Sequence, residues 1–171
     1  MNKVIEVIKS RVSCRAYNDK RVLASKLNQI LEAGKYAPSG RNRQICSILY
    51  VKNRKLLERI RESLKEKFNR DCLYGANTLV LVYGNSNEPL LVQDGSCILE
   101  NMFVAANALH IDSCWINQLD ELLSDSHYVS LRKRLGLLEE DKVVGSAIFG
   151  YRQEGTEIPV KPRKEDMIKI K

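Results

Sequence analysis

The sequence predicts an α/β or α+β fold, with helices packed around one mixed sheet. Segments with apolar residues three and four apart alternate with short β-branched runs through most of the chain. Thr78-Leu79-Val80-Leu81-Val82-Tyr83 has the composition of a buried strand. A length of 171 residues, with 44% apolar and 29% charged side chains, fits one domain with a sizeable core.

Residues 2–10 read as an amphipathic helix with Val4, Ile5 and Ile8 on one face. It stops before Arg11-Val12-Ser13-Cys14-Arg15, and Tyr17-Asn18-Asp19-Lys20 then has turn chemistry. A second helix starts near Ser25, carries Leu27, Ile30, Leu31 and Gly34 at helical spacing, and ends at Ala37-Pro38-Ser39-Gly40. Residues 45–51 are apolar and β-branched enough for a buried strand. The helix over 54–69 places Leu56, Leu57, Ile60 and Leu64 on one side. Its Lys55, Arg59, Arg61, Lys65, Lys67 and Arg70 interleave with Glu58, Glu62 and Glu66, the pattern of a solvated face.

After the strand at 78–83, Asn85-Ser86-Asn87-Glu88-Pro89 is a loop. The long helix over 92–110 has an apolar surface broader than one stripe, so it is central to the core or shared with a partner subunit. Residues 113–116 form a short strand leading into the turn Asn117-Gln118-Leu119-Asp120. A helix over 128–135 is ended by Gly136, and 143–151 is a strand with small residues at Gly145, Ser146 and Ala147. In the tail, Pro159 and Pro162 extend the backbone, and Lys161 and Arg163, two apart, can point the same way.

The totals exclude several classes. A run of about 18 apolar residues, needed for a transmembrane helix, is missing, and the N-terminus is too polar for a signal peptide. Five widely spaced cysteines without a C-x-x-C pair suit neither a metal site nor a disulfide framework. A reduced, cytoplasmic chain is the reading that follows. Cys14, between two arginines, would have its thiol pKa lowered if exposed. His110 and His127 lie far apart and read as structural. The net charge of +7 suits an anionic cofactor, nucleic acid or an anionic surface, or is simply the charge of a basic soluble protein.

Two short polar stretches carry the functional signal. Arg11, Ser13 and Arg15 offer two guanidinium forks and a hydroxyl in five residues, well matched to a phosphate. The turn Pro38-Ser39-Gly40-Arg41-Asn42-Arg43-Gln44 is rich in backbone N–H groups and uncharged amides, suited to a planar polar ring or a ribityl-like chain. Neither contains a nucleophile–base pair. A bound cofactor would then do the chemistry.

Arg11-Val12-Ser13-Cys14-Arg15-Ala16-Tyr17 resembles the opening R-x-S-x-R/K-x-Y/F of the nitroreductase family, and Ala37 through Gln44 resembles its A-P-S-x-x-N-x-Q turn. Asp94 through Ala106 and Ile111 through Ile116 resemble the central helix and following strand, and Lys161-Pro162-Arg163 the closing basic pair. The resemblance spans nearly the whole chain in order. It implies a mostly antiparallel sheet in an intertwined homodimer with FMN bound non-covalently at the subunit interface. NAD(P)H would reduce it, and a nitroaromatic, quinone or similar electrophile would accept the electrons in a ping-pong cycle. Carried over by position, Arg11, Ser13, Lys161 and Arg163 would hold the phosphate, with Val12 between its anchors, and Arg15 the N1/C2 edge. Asn42 and Gln44 would bind from the partner or line the site with Pro38, Ser39 and Gly40. Asn69 falls near the ring edge, Trp115 close to the flavin, and Ile116, Asn117 and Gln118 along its face. Asn117 and Gln118 replace the acidic residue and glycine of many members.

Two other classes stand beside this one. One is a flavin-binding protein of the same fold with a different activity or none. The other is a basic nucleic-acid-binding module, against which the mixed-sign helix and 6% aromatic content speak.

Overall fold

The computed structural model describes residues 2–169. In chain order the elements are α1 (Lys3–Ser10), α2 (Ala24–Lys35), β1 (Ser47–Tyr50), α3 (Arg54–Phe68) and β2 (Thr78–Asn85). They continue with α4 (Leu91–Ala108), β3 (Asp112–Ile116), α5 (Gln118–Leu123), α6 (Val129–Arg134) and β4 (Asp141–Gly150). The four strands form one antiparallel sheet in the order β1-β2-β4-β3. A single parallel bridge, Ser13 to Ser113, adds the segment after α1 to the free side of β3.

Both faces of the sheet are covered, which explains the unbroken apolar run of β2. Leu79 and Leu81 pack with Leu57, Ile60 and Leu64 of α3 and with Leu119, Leu122 and Leu123 of α5. Val80 and Val82, one residue out of phase, pack with Ile30 of α2 and with Leu99, Met102, Phe103 and Ala106 of α4. Alternation on a strand buried on two sides needs apolar residues at every position. Gly34 lets α2 approach α4, since a Cβ there would lie 2.9 Å from the Met102 Cγ.

Helix ends follow from local chemistry. The Asn2 side chain accepts from Val4 N at 2.9 Å and the Asn53 side chain from Leu56 N at 3.1 Å, each capping a helix start. Asn69 closes α3 in the left-handed conformation, a role asparagine tolerates. His110, at φ 55°, turns the chain after α4, and His127 packs edge-on against Tyr128.

Four local readings change. Strand β1 is at the sheet edge and only half-buried, because it pairs with β2 alone. Residues 118–123 are helical, because Leu119, Leu122 and Leu123 bury one face against the sheet. Arg61 is buried, its guanidinium donating to Asp71 Oδ2 and to the Ala76 carbonyl at 2.7 Å each. Cys14 is buried rather than exposed, and burial pushes its thiol up, with Arg152 offsetting only part of the rise.

Helix α1 has no buried residue. Asn107 of α4 donates to the Val7 carbonyl at 2.7 Å and to Ser10 Oγ at 2.9 Å, holding the helix by polar contacts. Val4, Ile5 and Ile8 are left 62%, 49% and 49% exposed.

Candidate functional site

The first polar stretch leaves α1 in extended conformation and runs beside β3, with Cys14 N donating to the Ser113 carbonyl at 3.0 Å. The chain after β4 then returns alongside it. Asn18 N donates to the Tyr151 carbonyl and Gln153 N to the Ala16 carbonyl, both at 3.0 Å, and Tyr17 bridges to Arg152. Asp112 clamps this return, accepting from Arg152 Nε at 3.1 Å and Nη2 at 2.5 Å.

The tail is thereby carried back over the first stretch. A cleft of about 240 Å³ results, lined by Arg11, Val12, Ser13, Arg15, Ile158, Pro159, Lys161 and Arg163. Four cations meet around one serine, and among the described residues no carboxylate lines the cleft. Among the described residues none of these four has a carboxylate partner within ion-pair distance; Arg11 lies 5.9 Å over the Phe103 ring. Clustered like charges repel unless an anion joins them. The cleft has the chemistry to hold an anion, and its cations would match a phosphate of charge about −1.5 to −2.

The second stretch is a strained turn. Arg41, Asn42 and Gln44 have φ of 55°, 54° and 50°, a left-handed backbone that costs about 1–3 kcal/mol per non-glycine residue. The turn is over-determined by contacts from outside and within it. Gly40 N donates to both carboxylate oxygens of Asp94 on α4, at 3.1 and 3.2 Å, and Gln44 N to Ser39 Oγ at 3.1 Å. Arg43 pairs with Glu88 at 2.7 Å. Asp94 is only 6% exposed.

Pro38, Ser39 and Gln44 line a different cleft, of about 440 Å³, with Leu31, Ile48 and Ile98 among its apolar walls. Gly40 and Asn42 flank it without lining it, and the Asn42 side chain accepts from Gln44 Nε2 at 3.2 Å. Asn69 lines neither cleft. Trp115 packs over Gly145 and near Phe103, with its Nε1 buried and unpartnered. The Ile116 side chain is buried in the core, leaving Asn117 exposed and Gln118 half-buried at the start of α5. Two residues on, burial raises the Asp120 carboxyl above its ordinary range.

The Nitroreductase family model matches residues 8–71 and 64–151. The chain belongs to the nitroreductase family. A nitroreductase with bound FMN from Bacteroides fragilis NCTC 9343 superposes with a TM-score of 0.92, at 38% identity over 99% of each chain. Another FMN-bound nitroreductase, from Desulfitobacterium hafniense DCB-2, gives 0.89 at 25% identity over 99% of this chain and 98% of that one. An Archaeoglobus fulgidus relative assigned as an NADH dehydrogenase/NAD(P)H nitroreductase is 28% identical over 90% of this chain and 88% of its own.

Within this nitroreductase-family chain, five supporting residues had no site role in the sequence reading. Ile158 and Pro159 wall the basic cleft, Asp94 fixes the turn, and the Asp112–Arg152 pair brings the tail home. The spacing of Pro159 two residues before Lys161 was a usable signal. The Asp94–Gly40 contact, 54 residues apart, left none.

Loss of the Asp94 tether is expected to open the turn. A hydrogen bond to a charged group contributes about 1.5–3 kcal/mol. Asp94→Ala should therefore raise tryptic cleavage after Arg41 and Arg43 by about ten- to hundredfold, read by limited proteolysis. Unchanged cleavage would show that the turn holds itself.

Proposed function

We propose that residues 1–171 act as one FMN-binding domain of a cytoplasmic, homodimeric oxidoreductase. It uses NAD(P)H to reduce nitroaromatics, quinones or similar electrophiles. The observation that carries this reading is the cleft of four unpaired cations around Ser13, in a chain of this family.

Arg11, Ser13, Lys161 and Arg163 would hold the FMN phosphate, with Val12 against it and Arg15 toward the N1/C2 edge of the ring. Bound FMN would supply hydride acceptance and donation at N5. A fixed cation at Arg15 favours negative charge developing on that edge. Asn117 and Gln118 would offer backbone N–H groups along the ring.

At about 240 Å³ the basic cleft is smaller than the roughly 300–1,000 Å³ of a whole small-molecule pocket. The Pro38–Gln44 turn lies in a separate cleft of the same chain. A second copy supplying its own Pro38, Ser39, Gly40, Asn42 and Gln44 would complete the site, and the exposed apolar face of α1 suits that contact. The mixed-sign face of α3 argues against nucleic acid as the partner of the basic charge. Five free thiols suit a reducing compartment, and among the described residues no helix is long and apolar enough to cross a membrane.

With reductant and acceptor taking turns at one site, initial-rate plots against NADH or NADPH at several acceptor concentrations should run parallel. Converging lines would contradict the ping-pong cycle. Ile5→Asp places a charge on the exposed face of α1. It should convert the dimer to monomer in light scattering and weaken FMN binding at least tenfold. A dimeric Ile5→Asp variant with unchanged FMN affinity would remove α1 from the interface.

A further inference from the structure

Two buried thiols lie side by side beneath the basic cleft. Ser13 pairs with Ser113 in an isolated parallel bridge, and Cys14 N donates to the Ser113 carbonyl at 3.0 Å, which brings Cys14 close enough to Cys114 for the two thiols to interact. Adjacent strands run about 4.7–4.9 Å apart, inside the roughly 4.4–6.8 Å Cα separation that a disulfide spans. Both side chains belong to the same buried cluster, and Tyr17, whose hydroxyl has no partner outside this group, stands against them. In the reduced state Cys14 Sγ donates to the Ala16 carbonyl and Cys114 Sγ to the Trp115 carbonyl.

We propose that Cys14 and Cys114 are a modification site, a thiol pair that closes to a disulfide under hydroperoxide and thereby distorts the anion cleft. Cys14 lies between Ser13 and Arg15, so drawing its sulfur toward β3 shifts both. Burial pushes the Cys114 thiol up, and the positive charge of Arg15 and Arg11 offsets part of that rise. The Cys114 sulfur attacks one peroxide oxygen; the S–O bond forms, the O–O bond breaks, and the departing hydroxide takes the Cys114 proton as water. The Cys14 sulfur then attacks the sulfenic sulfur; the S–S bond forms, the S–O bond breaks, and the second water leaves with the Cys14 proton. Two thiols are oxidised by two electrons and one hydrogen peroxide is reduced to two waters.

The effect on cofactor binding rests on the FMN reading; the disulfide does not. The test is to treat the reduced 171-residue protein with hydrogen peroxide, alkylate it under denaturing conditions, and map linked peptides by mass spectrometry beside Cys14→Ser and Cys114→Ser. Two of the five thiols should be lost as a Cys14–Cys114 link, absent from both variants. FMN affinity of the oxidised wild type should fall at least tenfold and return with dithiothreitol. Survival of all five thiols, a link between other cysteines, or unchanged FMN affinity in the linked protein would overturn the proposal. Failure of the reduced protein to bind FMN would be seen before any oxidant is added; it retires the cofactor reading, and the peptide map still decides the thiol pair.

Discussion

Alanine at Arg11 and Lys161 together is expected to weaken FMN binding by about a hundredfold or more. Each residue reaches the cleft from a different segment, one after α1 and one from the returning tail. A hydrogen bond to a charged group contributes about 1.5–3 kcal/mol, so two lost contacts remove at least about 3 kcal/mol, and each 1.4 kcal/mol is tenfold. The sign on stability is opposite. Four cations without a carboxylate partner among the described residues repel one another, so removing two should leave the flavin-free protein as stable as before or slightly more so. Affinity of the wild type should also fall with added salt, and the slope should flatten in the double variant. Titration by quenching of flavin fluorescence measures both. A control such as Arg59→Ala/Lys133→Ala makes the same charge change away from the cleft. Equal loss in the control would assign the effect to net charge alone.

Phe149→Ala is expected to destabilise the fold by about 3–5 kcal/mol. Phe149 is fully buried on β4, where it faces α4 and lies 6.1 Å from Phe103 between ring centroids. Truncation leaves a cavity between a central strand and the longest helix, where neither wall can collapse. For a chain of this size the melting temperature should drop by roughly 10 °C, and the urea midpoint should fall with an unchanged slope. Tyr36→Ala, at a side chain 78% exposed, should stay within about 0.5 kcal/mol of the wild type. Phe103 also carries Arg11, so a second reading of the Phe149 variant is weaker FMN binding beyond what unfolding accounts for.

Much of the architecture was legible because its signals were local. The run 78–83 could only be a buried strand, and the helices α2, α3 and α4 declared themselves through spacing and through Gly, Pro and Asn at their ends. The helix α5 was read as a turn because Asn117, Gln118 and Asp120 have turn chemistry. Leu119, Leu122 and Leu123, spaced three and four apart, outweigh them by burying a face on the sheet. Arg61 was hidden by the charges around it, although it falls in phase with Leu57, Ile60 and Leu64.

The anchors Arg11, Ser13, Arg15, Lys161 and Arg163 were visible as residue types able to hold an anion. What joins them was not, because it depends on Asp112 meeting Arg152 and on the tail pairing with residues 16–18. The same holds for the strained turn, whose conformation depends on Asp94. Contacts across 40 or 54 residues leave no periodicity to read.

The central claim, that this chain binds FMN in the basic cleft and passes reducing equivalents through it, is tested most directly by one anaerobic titration. The purified protein is reconstituted with FMN, freed of excess, and its visible spectrum is recorded before and after NADH or NADPH. The account predicts one tightly held FMN per chain, with an oxidised-flavin spectrum that bleaches on addition of the nicotinamide and returns with a quinone or nitroaromatic. A protein that retains no FMN, or holds FMN that neither nicotinamide reduces, would contradict it.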